Sequence, residues 1–129
     1  MKNAALALAG WLIPGGAFLL LRRYLQFAVF ACLICGTFAT GVALQGGYHW
    51  PSAAEVAGLT GFDALAARAG ELTKILAGAP YIIAQLAGGP QPLVGGRLHE
   101  YGTTLLMMAG LFNLLAVASA LELPKAGRR

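Results

Sequence analysis

Three long apolar stretches dominate the pattern of hydrophobic and polar positions. They lie at approximately 4–21, 24–45 and 100–121. Each is close to the roughly 20 residues that a helix needs to cross a hydrocarbon core of about 30 Å. In lipid each stretch must pair its own backbone N–H and C=O groups, and the alternation typical of membrane strands is absent. The pattern therefore predicts an all-α integral membrane protein, a single membrane domain over 1–129 with about three transmembrane helices.

The first stretch is interrupted in its middle by Pro14, Gly15 and Gly16. Proline removes one helical hydrogen bond, and the glycines allow another backbone to come close. The segment is either a kinked transmembrane helix or a half-helix that turns back within the membrane. A kink used for packing is favoured over a ligand site. A retained helix is favoured over a cleaved signal peptide, because no clear cleavage site precedes Arg22.

Basic residues mark the expected orientation. Arg22 and Arg23 follow the first stretch, and a basic tail over 124–129 follows the third. The tail contributes Lys125, Arg128 and Arg129. The positive-inside rule places both clusters in the cytoplasm, which predicts three spans with the N-terminus outside and the C-terminus inside. Lys2 disagrees with this orientation, but it agrees if the first segment is re-entrant.

The region 51–98 is expected to form an outer helical cap. Ser52 and Glu55 have the spacing of a capping box. An apolar stripe then predicts an amphipathic helix, which either lies on the membrane surface or covers the spans. The stripe consists of Phe62, Leu65, Ala69, Leu72 and Leu76. Off the stripe, Glu71 can pair with Arg68 or Lys74 at i,i+3. Pro80 predicts the start of a further short helix over 81–86.

Small and polar residues within the second and third spans predict helix packing faces. These residues are Gly36, Thr37, Thr40 and Gly41 in the second span and Gly102, Gly110 and Asn113 in the third. Small residues let backbones approach, and an amide in the hydrocarbon region is expected to bond across helices. The faces join the spans to each other or to another protein, and internal packing is the favoured alternative.

Composition restricts the class of protein. Hydrophobic residues make up 58% and charged residues 11% of the chain, against roughly 45–50% and 25% in soluble domains. The net charge of +4 lies near the ends of the predicted spans, so topology explains it better than nucleic acid does. Membrane lipids are the expected surroundings.

The search for chemistry predicts no enzyme and no cofactor. Cys32 and Cys35 lie inside an apolar stretch without a second ligand pair, so two small apolar side chains are favoured over a zinc site. His49, His99 and Glu100 near the outer boundary would make at most a weak metal site, and histidines without that role are commoner. No catalytic motif occurs.

Several motifs resemble those of a family of small uncharacterised bacterial multi-pass membrane proteins. They are Trp11–Gly16 with Leu21–Arg23, Ala79–Tyr81 with Gln85, Glu100–Thr104 continuing through Ala109–Leu115, and Gly127–Arg129. The opening hairpin is also loosely similar to the two-helix TM2 domain. The chain departs from the family pattern at Leu20-Leu21, where a glycine is usual, and lacks a histidine after Gly16. The resemblance implies bacterial origin and a multi-pass topology, and it implies no activity.

Three functions are compatible with these observations. The favoured one is a non-catalytic accessory or scaffold subunit that packs against a larger membrane protein complex in the bacterial inner membrane. The second is a protein that binds lipid or quinone in an apolar pocket shaped by the Pro14 kink and the outer cap. The third is a small transporter or enzyme that uses His49, His99 and Glu100.

Overall fold

The protein is helical throughout the regular structure described by the computed structural model, which covers residues 2–50, 57–88 and 96–126. Its helices are α1 (Lys2–Leu12), α2 (Gly16–Leu20), α3 (Tyr24–Ala43), α4 (Phe62–Ile75), α5 (Ala79–Ala87) and α6 (Arg97–Ala126). Among the described residues, two helices are long and apolar enough to cross a membrane: α3, and α6 over Arg97–Leu123.

The first apolar stretch forms a helical hairpin instead of one span-length helix. The helix is interrupted at Pro14 and at Gly15, whose φ of 75° lies in the left-handed region that glycine tolerates. The two short helices run back along each other, because a Cβ on Gly10 would lie 3.0 Å from the Cβ of Ala17 and one on Gly16 would lie 2.5 Å from the Ala9 carbonyl oxygen. With 11 residues, α1 is only about 16 Å long at 1.5 Å per residue.

The two long helices pack antiparallel. Near the end of α3, a Cβ added to Gly41 would lie 2.8 Å from the Gly102 carbonyl oxygen near the start of α6. At the other end of α6, Val117 contacts Gly10 of the hairpin, and the hairpin turn at Gly15 lies against the first half of α3. Phe18 and Phe30 stack across that contact with ring centroids 5.1 Å apart.

A second helical hairpin lies on the other half of α6. Gly70 packs on Met107 and Gly110 packs on Thr73, so α4 runs parallel to α6. The turn at Gly78, with φ of 75°, leads into α5, where Pro80 occupies the first turn as predicted. Gln85 donates a hydrogen bond to the Tyr48 carbonyl oxygen just beyond α3, so α5 returns toward the end of the molecule at which α6 begins.

Of the two placements predicted for α4, the one in which its apolar stripe covers the spans is not observed. Phe62 is 80% exposed and Leu65 is 65% exposed, whereas Lys74 is only 2% exposed. The helix turns its polar side inward because Gly70 and Thr73 meet α6 on that side. The predicted capping box at Ser52 and Glu55 lies outside the described residues.

The order of the helices given above is repeated. A short hairpin is followed by a long helix in α1–α3, and again in α4–α6. Since α3 and α6 are antiparallel, the two units have opposite directions.

Candidate functional site

The two hairpins meet at Asn113, in the middle of α6. Its side chain is fully buried. Its Nδ2 donates to the Trp11 carbonyl oxygen at 3.1 Å and to the Leu76 carbonyl oxygen at 2.9 Å. These carbonyls stand at the C-terminal ends of α1 and α4, where no helical N–H is left to bond them. One amide therefore holds the ends of two helices that reach it from opposite directions.

Direct contacts between the hairpin tips add to this junction. The indole Nε1 of Trp11 donates to the Ile75 carbonyl oxygen at 3.1 Å. A Cβ at Gly78 would overlap the Trp11 carbonyl oxygen, and one at Gly110 would overlap that of Thr73. The backbones can come this close only because both positions are glycine.

A buried ion pair lies on the inner side of α4. Lys74 Nζ and Glu71 Oε1 are 2.5 Å apart, and both side chains are nearly inaccessible to solvent. The predicted i,i+3 pairing is therefore present, but in the interior instead of on an outer surface. Buried pairs are retained only where their charges are compensated, since desolvation costs several kcal/mol per ion.

Two buried acceptors in this region have no donor among the described residues: Asn113 Oδ1 and Glu71 Oε2. Unsatisfied buried polar groups are rare, and each costs about 1–3 kcal/mol. The interior beside α4 therefore contains two hydrogen-bond acceptors without a donor in the described part of the chain.

The two histidines lie at the other end of α4 and α5. The His99 Nδ1 lies 2.7 Å from the Gln45 carbonyl oxygen, and since a carbonyl only accepts, this nitrogen carries the proton. His49 packs on Tyr48 with ring centroids 4.6 Å apart. No group of three or more metal-ligating side chains occurs within residues 2–50, 57–88 and 96–126.

The residues predicted to pack helices fall into two groups. Gly41, Gly102, Gly110 and Asn113 lie at internal helix contacts. By contrast, a Cβ on Gly36 would meet nothing within 4 Å among the described residues, and Thr40 is exposed with its hydroxyl donating to the Gly36 carbonyl oxygen. This part of α3 faces away from the rest of the chain.

Among the residues predicted to determine orientation, those that the structure describes lie near one end. Arg22 and Arg23 form the turn between α2 and α3, with Arg22 at φ 57°. Lys125 belongs to the last turn of α6, whereas Arg128 and Arg129 lie outside the described residues. Sequence reasoning missed the joint role of Trp11 and Asn113, because nothing in the pattern links positions 102 residues apart.

These observations define an all-helical protein in which two helices long enough to cross a membrane are each preceded by a short hairpin. A family model described as "Family of unknown function (DUF6677)" matches residues 5–129, so the chain belongs to this family. No curated protein and no solved structure matches the chain significantly. The predicted resemblance to an uncharacterised family is confirmed, while bacterial origin and a multi-pass membrane topology stay predictions.

Proposed function

We propose that the protein is a small integral membrane protein and serves as a non-catalytic subunit that packs against a larger membrane protein. The observation that carries the membrane placement is the inverted distribution of polarity. Asn113 and the Glu71–Lys74 pair are buried, whereas many large apolar side chains are exposed. In water this arrangement would leave a large apolar surface in contact with solvent, which is unfavourable. In lipid the same surface is favourably solvated.

The same placement supports the alternative in which the first segment is a half-helix that turns back within the membrane. At about 16 Å, α1 reaches only about half of a 30 Å hydrocarbon core. Its tip meets Asn113, which lies near the middle of α6. We therefore propose two spans and two re-entrant hairpins that enter from opposite sides. Irregular backbone at such depth is tolerated because it is covered by protein.

The subunit role is supported by the outward face of α3. Small side chains recur along this face at helical spacing, opposite the buried residues Ile34, Phe38 and Gly41. The face consists of Ala28, Cys32, Cys35, Gly36, Ala39 and Ala43. Small residues on a lipid-facing surface allow a second transmembrane helix to approach closely. Its occupant is proposed to be a transmembrane helix of a partner protein.

Affinity purification from solubilised native membranes tests this role. We expect a stoichiometric partner to copurify with the wild-type chain and to be lost with Gly36→Leu, because the leucine would hold the partner helix away. Gly36→Leu is not expected to disturb the fold, since a Cβ there meets no described atom within 4 Å.

The matched control is Ala118→Leu, which adds the same bulk to an exposed position of α6. It is expected to retain the partner. Copurification that is equal for both variants would place the partner elsewhere, and a wild-type chain that purifies alone in mild detergent would refute the subunit role.

A further inference from the structure

The turn between α2 and α3 presents two arginines on a fixed backbone. The Arg22 N–H donates to the Leu19 carbonyl oxygen at 3.0 Å, and the Arg23 N–H donates to the Phe18 carbonyl oxygen at 2.9 Å. This pair of bonds is the Schellman motif, in which the residue at the position of Arg22 has a left-handed conformation and is usually glycine. Arg22 adopts that conformation with φ of 57°, under a strain that glycine would avoid. The turn therefore has a positive side chain where the backbone alone favours glycine.

The positive charge of this turn has no counter-charge in the described part of the chain. Both arginine side chains are exposed and neither forms an ion pair with a described residue, although Arg23 Nη1 donates to Gln26 Oε1 at 3.3 Å. Among the described acidic residues only Glu122 belongs to the end of α6 on this side, and it forms no ion pair there. The helix ends offset one another, because α1 and α3 begin on this side while α2 and α6 end on it. The side chains therefore decide the sign, and Lys2 adds to the positive charge.

An exposed apolar stripe on α3 begins directly beside the two arginines. Leu25 is 79% exposed, Val29 58% and Leu33 44%, and their spacing of four residues places them along one side of the helix. From Leu25 to Leu33 the stripe extends about 12 Å at 1.5 Å per residue. One leaflet of the hydrocarbon core is roughly 15 Å deep. The surface thus combines a positive end with an apolar stripe close to the length of an acyl chain.

The position of the turn on α3 places it at the level of the lipid phosphates. The helix has 20 residues and is about 30 Å long, so it spans the hydrocarbon core and its first turn reaches the headgroup layer. Tyr24 in this turn is 63% exposed, as is typical of aromatic residues at the interface. We propose that Arg22 and Arg23 bind the phosphate of an anionic diacyl phospholipid in the adjacent leaflet, with one acyl chain along the apolar stripe.

Charge and shape together favour this occupant. Guanidinium groups bind phosphate with two parallel hydrogen bonds, and basic residues close to the membrane surface attract anionic lipids. A zwitterionic phospholipid has the same phosphate but adds an ammonium group, which the positive end repels. An acidic protein segment would pair with the arginines but would not account for the apolar stripe. The inference rests on the membrane placement proposed above, and it is independent of the partner protein.

Native mass spectrometry of the full-length chain in a neutral detergent tests the proposal, with dioleoylphosphatidylglycerol or dioleoylphosphatidylcholine added. We expect a single phosphatidylglycerol to bind at concentrations about tenfold below those that phosphatidylcholine requires, and Tm to rise with the anionic lipid. Inorganic phosphate at the same concentrations is expected to leave Tm unchanged. A rise in Tm with phosphate equal to that with the anionic lipid would show binding of free phosphate and would overturn the lipid assignment.

Arg22→Gly combined with Arg23→Gln removes both charges and relieves the left-handed strain. We expect this variant to lose the preference for phosphatidylglycerol, while its Tm without lipid equals or exceeds that of the wild-type chain, because glycine suits φ of 57°. Arg68→Gln combined with Arg97→Gln is the matched control, since it removes the same charge from exposed positions on α4 and α6. The control is expected to keep the preference. Should the first variant not fold, Arg22→Gly alone takes its place and is expected to weaken the preference.

Equal binding of the two lipids by the wild-type chain would overturn the proposal. A preference that is unchanged in whichever turn variant folds, or that is lost equally in the control, would overturn it as well. These outcomes do not bear on the partner protein, since the titration uses the isolated chain. A chain that stays monodisperse without detergent would instead refute the membrane placement, and the lipid proposal with it.

Discussion

At the scale of single residues, the molecule depends on glycines where helices touch. Gly110→Ala would drive a Cβ into the Thr73 carbonyl oxygen, so α4 and α6 must separate to accept it. Gly36→Ala meets no described atom and gains the helix propensity of alanine, worth up to about 1 kcal/mol. We expect thermal unfolding in detergent, followed by circular dichroism, to show a lower Tm for Gly110→Ala and an equal or higher Tm for Gly36→Ala.

The two substitutions are chemically identical and lie on long helices, so each controls for the other. Equal Tm values for both variants would contradict the close packing of α4 against α6. The sequence could identify both glycines as candidates for packing, but it could not separate them. Only the direction in which each helix turns decides which glycine faces a neighbour.

The buried ion pair makes a second prediction at this scale. Lys74→Met removes the positive partner and leaves the Glu71 carboxylate buried and uncompensated, which typically costs about 3–5 kcal/mol. We expect a large loss of stability in this variant. Adding Glu71→Leu removes the remaining charge at similar volume and is expected to restore most of it.

Denaturation of both variants in the same detergent measures this pair of effects. If Lys74→Met were as stable as the wild-type chain, the pair would have to be solvated, and α4 would not face α6 as described. Arg68→Met is the control, because it removes a positive charge from the same helix at an exposed position.

At the scale of elements, the sequence predicted what can be derived from local pattern. The second and third apolar stretches form α3 and α6, and Pro80 begins a short helix. The first stretch was predicted as either a kinked helix or a half-helix, because Pro14 and Gly15 interrupt the hydrogen bonds but do not set the angle of the turn. That angle depends on contacts with α3 and α6, which are distant in the sequence.

The inward side of α4 could not be predicted from its sequence for a related reason. An apolar stripe indicates a buried face only when the surrounding solvent is water, and the sequence of α4 alone does not reveal its solvent. Glu71 and Lys74 form an ion pair in the interior, whereas Phe62 and Leu65 face outward. The candidate site was missed with it, since the site exists only where α4 reaches Asn113.

At the scale of the whole molecule, charge is divided between the two ends. α1 contacts Val117 at Gly10 and Asn113 at Trp11, so it runs antiparallel to α6. Lys2, at the start of α1, therefore lies toward the C-terminal end of α6. Six of the nine basic residues fall at this end or follow α6 in the sequence: Lys2, Arg22, Arg23, Lys125, Arg128 and Arg129. Of the remaining three, Arg97 begins α6 at the other end and Arg68 lies on α4 toward that end, whereas Lys74 lies near the middle of the molecule.

This division predicts an orientation in which both termini are cytoplasmic, because the positive-inside rule then applies to every cluster, including Lys2. A cysteine at position 3 and one at position 125, in a background with Cys32→Ala and Cys35→Ala, are expected to react with a membrane-impermeant maleimide only after the membrane is opened. A cysteine at Gly58, which precedes α4 and has no described neighbour within 4 Å of its Cβ position, is expected to react from outside. Labelling of position 3 from outside would mean that the first segment crosses the membrane, and the two opposed hairpins could not then meet at Asn113.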